Sequence, residues 1–264
     1  MLYYKELLEH INLDNGNHFV EWLEANRSTC PELKFIDELM AGCEHLHYHK
    51  EGDVWAHTKL VLSHVIANEH DYVDVLAALL HDTGKKAALE ANNGKNMAGH
   101  ERYSTQIAER FLLDLLFPTP TVKLVCDIVR MHTHMNNIVD CKSRYDCWDL
   151  VSNPIFYRLK RLAVADARGT IGDDGNPIMD FDERFSNSLA GRCFLEPMPE
   201  RVVVLCDLID YRREHKINDI GVSAFKEILE SCYKNQINGN LYKKEALIKI
   251  AIRCYKQKRG KNGN

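Results

Sequence analysis

The sequence predicts an all-α fold, and three observations carry that prediction. Apolar residues recur at spacings of three and four through most of the chain, the spacing that lines one face of a helix. The only short β-like run is Val202–Leu205, which suits a buried helix equally well. Apart from Gly42, proline and glycine fall between the periodic stretches rather than inside them. Taken in order, the stretches are Leu33–Leu46, Leu60–Ile66, Tyr72–Leu80, Ile107–Leu116, Val122–Met131, Ile155–Ala165, Phe225–Cys232 and Leu247–Ile252. Pro31 and Pro154 sit where a first helical turn begins, and Gly84 follows Asp71–Asp82 as a C-terminal stop. Gly169–Asp182 (GTIGDDGNPIMDFD) is rich in Gly, Asp and Pro and reads as the longest loop. Residues 1–168 thus read as one helical unit and about 190–258 as a helical appendage, with a weakly marked boundary.

With 264 residues, 45% hydrophobic and 27% charged, the chain can bury a sizeable core and has an ordinary globular composition. The net charge of −4 is unevenly spread: Tyr233–Asn264 holds nine Lys or Arg against the single acid Glu245. Such a stretch can touch a nucleic-acid backbone, although a solvated helix face with a frayed end has the same composition. Nine cysteines form no CxxC pair, which points to a reduced protein rather than a disulfide framework or zinc ribbon. MLYYKELLEHINLD has no basic leader followed by an apolar run, and no stretch of eighteen apolar residues occurs. A cytoplasmic protein with no membrane partner is expected.

The informative feature is a set of polar residues placed on apolar helix faces. Asp166 continues the stripe Leu159, Leu162, Ala163, and His132 continues Val125, Ile128, Val129. Asp82 continues Val75, Ala78, Leu79, His81 follows Ala77 and Ala78, and His57 opens a helix whose next same-face residues are Leu60 and Val61. A carboxylate or imidazole facing a core costs a few kcal/mol or more unless it is paired. One such group is ordinarily a hydrogen-bonded core residue. Five of them, two being aspartates with no Arg or Lys at a matching core position, call for an external cation. Imidazole with carboxylate suits Mn, Fe, Co, Ni or Zn.

The ordered blocks HYHKEGDVWAHT (His47–Thr58), LAALLHDTGKK (Leu76–Lys86), GHERYS (Gly99–Ser104), RMHTH (Arg130–His134) and ADARG (Ala165–Gly169) resemble the HD-domain superfamily of metal-dependent phosphohydrolases over about residues 45–170. Within it they are most similar to the HD domain of bacterial CCA-adding tRNA nucleotidyltransferases and to the HD phosphatase module of some bacterial polynucleotide kinases. The resemblance implies an HD-domain helical bundle at residues 1–185 and a helical C-terminal extension with a basic tail at 186–264. It makes His57, His81, Asp82 and Asp166 the ligands of one divalent ion. His100 and His132 would hold a second, with Asp82 shared between the two. One or two ions are compatible with the superfamily, and both extra histidines point to two; Mn, Fe, Co or Ni are expected, with Mg or Zn also compatible. Water activated between the ions would attack phosphorus, with Asp82 as ligand and orienter. Lys85, matching the HDxGK lysine, would hold a phosphate oxygen. Arg102, His134 and Arg168 lie within three residues of these ligands and are candidate phosphate contacts, with Ser186 and Ser188 fainter ones.

Other histidines carry less. His64 stands seven residues from His57, roughly 10 Å along a helix, too far to share its metal. His45, His47 and His49 read as a structural or surface run, and His10, His18, His70 and His215 carry no signal. Absent motifs narrow the function. NNGKN (Asn92–Asn96) is no phosphate-binding kinase loop, and no Gly-Ser segment with paired aspartates marks a nucleotidyltransferase. A hydrolytic module acting on a nucleotide or RNA-end phosphate is expected, opening 2′,3′-cyclic phosphates or removing 2′-phosphates. A small-nucleotide phosphatase or phosphodiesterase and a non-catalytic nucleotide-binding regulatory module are the alternatives. A separate kinase, ligase or nucleotidyltransferase is the partner class that the resemblance admits.

Overall fold

A computed structural model describes residues 3–13, 18–40, 53–68, 71–239 and 241–261. In chain order the helices are α1 (Tyr4–Asn12), α2 (Phe19–Asn26), α3 (Phe35–Met40), α4 (Val54–Ala67), α5 (Tyr72–Leu80), α6 (Lys85–Ala91), α7 (His100–Asp114) and α8 (Thr119–Ile138). They continue as α9 (Arg144–Val151), α10 (Phe156–Gly169), α11 (Phe181–Asn187), α12 (Leu189–Leu195), α13 (Leu205–Glu214), α14 (Phe225–Gly239) and α15 (Lys244–Lys261). Among the described residues there is no sheet, only one isolated bridge between Ile171 and Pro177. The fold is all-α. Val202–Val204 is irregular, and Leu205 opens α13, whose capping Asp207 carboxylate accepts the Val204 backbone N–H at 2.9 Å. No described helix is long and apolar enough to cross a membrane.

The chain divides into two compact units, residues 1–139 with 153–187, and residues 140–152 with 188–264. In the first, α4, α5, α8 and α10 pack on one another, and α7 lies along α8. Their facing sides are apolar: Val61, Leu62, Val65, Leu76, Leu79, Val125, Ile128, Leu159 and Leu162 are buried. The second unit has its own core, built from Leu208, Phe225, Ile228, Leu247, Ile248 and Ile252.

Local chemistry sets the ends that matter. Asp53 caps α4 by accepting the Ala56 N–H at 2.8 Å, so the helix carrying His57 starts where the spacing requires. Asp71 caps α5 in the same way through Val73 and Asp74. Helix α5 ends at Leu80, so His81 and Asp82 stand in the turn that follows it rather than on the helix, as their stripe positions had suggested. Gly84 is not only a stop: it is the residue from which α6 starts. A Cβ there would lie 2.3 Å from Ser104 N and 2.4 Å from His100 O, so only glycine lets this turn meet the start of α7. His45, His47, His49 and His70 lie outside the described residues. The eight described cysteines are free.

Candidate metal centre

Four histidines from four places converge through the same ring nitrogen. His57 comes from the first turn of α4, His81 from the turn after α5, His100 from the start of α7 and His132 from the middle of α8. In each ring Nδ1 faces a backbone carbonyl: Gly169 O at 3.3 Å, Ala78 O at 2.8 Å, Met97 O at 3.1 Å and Val129 O at 2.6 Å, respectively. A carbonyl oxygen only accepts, so each Nδ1 must carry the proton, and in the neutral ring the lone pair is left on Nε2. All four Nε2 atoms point at the two aspartates. His57 Nε2 lies 3.0 Å from Asp166 Oδ1, and His81 Nε2 lies 3.9 Å from the same oxygen. Asp82 divides its carboxylate: Oδ2 faces His81 at 3.2 Å and His57 at 3.7 Å, and Oδ1 faces His100 at 3.2 Å and His132 at 3.8 Å. Two groups with metal-ligating spacing result, His57–His81–Asp166 and Asp82–His100–His132.

The balance of donors and acceptors exposes what the site lacks. Carboxylates accept and neutral Nε2 atoms accept, so the interior of the cluster is almost all lone pairs. His100 Nε2 and His132 Nε2 face each other at 3.1 Å. His81 Nε2 and Asp82 Oδ2 are buried with no hydrogen-bond partner, each at a cost of about 1–3 kcal/mol if left so. A divalent cation offsets both charge and lone pairs, and the donor set, imidazole plus carboxylate, fits one.

Without a cation, protonated imidazole is the other source of positive charge for these carboxylates, and the titration of the cluster follows from it. Burial works to raise the Asp82 carboxyl, but the positive charge of His81 and Lys85 holds it well below the usual carboxylate range. Asp166 is likewise held low by its His57 hydrogen bond against the effect of burial. Burial, and then the His81 charge, pushes His132 down to about 4, so it stays neutral. His100 moves the other way: the adjacent Asp82 raises it despite burial.

Neighbouring residues hold the ligands in place. Asn136, one turn beyond His132 on α8, donates to Asp166 Oδ2 at 3.0 Å. Ser104, one turn beyond His100, accepts the Gly84 N–H at 2.9 Å and ties α7 to the Asp82 turn. Gly169 lets α10 approach α4, since a Cβ there would lie 2.7 Å from Val61 Cγ2, and its carbonyl can therefore reach His57. None of these three was singled out from the sequence. A spacing of four from a ligand is the signal that finds Asn136 and Ser104.

Lys85, at the first residue of α6, brings Nζ to 2.5 Å from Asp82 Oδ2, although the contact lacks hydrogen-bond geometry. The turn of the chain at Gly84 returns Lys85 to Asp82 in a way that no stripe position reveals.

The cluster opens into a cleft of about 330 Å3 lined by Asp82, Lys85, His100, His132, Asn136 and Asp166 on its inner side. Ile178, Met179 and Arg184 line it further out. Arg102, His134 and Arg168 are exposed and are not among the lining residues. Ser188 caps α12 through Gly191 N, and Ser186 donates to Asp182 O. His64, near the end of α4, takes no part; Asn68 donates to its carbonyl at 2.8 Å.

Comparison with known proteins agrees with the geometry. Residues 54–170 match the model of the HD domain family. Over 150 residues, 54% of the chain, it is 27% identical to a "Multifunctional CCA protein" of Paraburkholderia phymatum. The match covers 36% of that relative, so the chain corresponds to about a third of its length. No solved structure matches the chain significantly. Residues 54–170 therefore match a family of metal-dependent phosphohydrolases, and they carry a His/Asp cluster suited to metal.

Proposed function

We propose that this protein hydrolyses phosphoesters at RNA ends or in nucleotides, opening 2′,3′-cyclic phosphates and removing 2′-phosphates, with two transition-metal ions held by the His/Asp cluster. The observation that carries the reading is the set of four Nδ1-anchored imidazoles whose lone pairs converge with two carboxylates. His57, His81 and Asp166 would hold one ion and His100 and His132 the other, with the two oxygens of Asp82 serving both groups.

A divalent ion in this site supplies positive charge that polarises phosphoryl oxygen and lowers the pKa of water. The chain's own residues do the rest. Backbone carbonyls behind each Nδ1 fix the rings, so no ligand has to reorganise when substrate arrives. Asn136 keeps Asp166 turned towards His57. Lys85, with its side chain only 11% exposed, lines the cleft beside Asp82 and is the cation that would meet a phosphate oxygen. In the reaction, water adds to phosphorus, one P–O ester bond breaks, and the departing oxygen leaves as an alcohol after taking a proton.

The RNA-end substrate is supported by the similarity to a CCA protein and by the nine Lys and Arg of the C-terminal stretch. A second reading, a phosphatase or phosphodiesterase of single nucleotides, is supported by the cleft volume, which lies at the low end for small-molecule sites. A screen of Mn, Co, Ni, Fe and Mg against a nucleoside 2′,3′-cyclic phosphate, a 2′-phosphorylated oligonucleotide, a nucleoside monophosphate and an aryl phosphate separates them. The proposal expects hydrolysis of the first two with at least one transition metal. Turnover of the monophosphate alone supports the second reading, and turnover of nothing in any metal would leave a binding module.

A further inference from the structure

The outer wall of the cleft differs in character from the inner one. Its residues come from the segment between α10 and α11, which is pinned rather than loose: Ile178 N donates to Thr170 O at 3.0 Å, Gly172 N to Asn176 O at 2.8 Å, and Ile171 bridges Pro177. The turn is closed by Gly175 at φ +76° and by Asp174, whose carboxylate accepts the Asn176 N–H at 3.0 Å. This pinning presents Ile178, 53% exposed, and Met179 to the cleft. An exposed isoleucine alone means little. Here two adjacent apolar side chains form one side of a cleft whose floor is carboxylate, imidazole and ammonium. Arg184 completes the wall from α11, a helix anchored by the buried rings of Phe181 and Phe185 and by the 2.6 Å pair Lys160–Asp182. Its Nη1 lies 3.0 Å from Met179 Sδ, so the cation and the apolar shelf are neighbours.

We infer that Ile178 and Met179 form a shelf for the nucleobase of the substrate and that Arg184 binds its phosphate from the outer side, so that this wall selects nucleotides over simple phosphates. The inference rests on the nucleotide reading of the site given above. It assigns the cleft two cations for the phosphate, Lys85 and Arg184, and an apolar surface for the base. A flat base gains from burial against Ile and Met side chains, whereas a bare phosphate gains nothing there.

The test is calorimetric binding of the non-hydrolysable phosphonate (C–P) analogues of adenosine 2′-monophosphate and ribose 5-phosphate, and of inorganic phosphate, to the manganese-loaded full chain, in the wild type, Ile178→Ser and Arg184→Met. Both positions are exposed, so both variants should fold. The wild type should bind the nucleotide more tightly than either base-free phosphate. Ile178→Ser should weaken the nucleotide about tenfold and leave inorganic phosphate unchanged. Arg184→Met should weaken all three about tenfold or more. An unchanged nucleotide-to-phosphate ratio in Ile178→Ser, unchanged phosphate binding in Arg184→Met, or no binding at all would overturn the inference. If the binding pattern holds but the loaded protein hydrolyses no ester, the hydrolytic reading fails and this assignment stands.

Discussion

The two ends of α5 treat a buried carboxylate in opposite ways. At the N-terminal end Asp74, 5% exposed, accepts from Arg158 at 2.8 Å and Arg161 at 3.0 Å, and Arg158 also pairs with Asp71 at 2.7 Å. At the C-terminal end Asp82, 2% exposed, meets four imidazole nitrogens and one lysine and keeps an oxygen without a hydrogen bond. The first site is closed by cations that the chain itself supplies. The second is short of positive charge by construction. A burial pattern alone does not distinguish structure from function; the identity of the compensating groups does. Where arginines reach in, the charge is structural. Where only lone pairs converge, a ligand is required.

The largest effect expected is at the open end. Asp82→Ala should reduce bound metal, measured by elemental analysis, to background and abolish phosphoester hydrolysis, because its two oxygens face histidines of both groups. Retention of metal and activity would remove the basis of the contrast. Lys85→Ala should keep the metals and lower kcat by about 10²–10³-fold; loss of metal instead would make Lys85 a structural partner of Asp82. At the closed end, Arg158→Ala combined with Arg161→Ala leaves Asp74 uncompensated. It should cost about 3–5 kcal/mol in denaturant unfolding while metal content stays that of the wild type. Chelation should act on the open end only. Metal at about a hundredfold over its Kd adds ~2.7 kcal/mol, so its removal should lower Tm by roughly 5–10 °C and its return should restore it.

The smallest effect is one of pH. The Arg158 hydrogen bond holds the Asp71 carboxyl below its ordinary 3.8. A carboxylate lowered in the folded state stabilises above its unfolded pKa and loses that contribution as the pH falls through the folded one. The stability difference between wild type and Asp71→Asn should therefore be full above about pH 4 and shrink below it. A difference that grows on acidification would contradict the pairing.

Much of this was legible in the residues because burial and spacing are local properties. The stripes ending at His132 and Asp166 named inward-facing groups before any fold was considered, since a helix converts spacing directly into direction. Helices α13 and α9 are harder to read: Leu205, which opens α13, is the last residue of a β-like run, and Arg144–Val151 is short and weakly periodic. Arg184 lies eighteen residues past the last ligand stripe, beyond a loop, and nothing in its local sequence points to the cleft.

By itself the sequence determined the all-α class, the inward-facing histidines and aspartates, and the demand for a cation that five such groups create. Only the tertiary structure decided how that demand is arranged. Which oxygen of Asp82 faces which imidazole depends on rings brought from four separate elements, and on Gly84 and Gly169 allowing backbones to touch. Helical spacing reports which way a side chain points. It does not report what stands opposite, because that is set by the packing of segments distant in the chain.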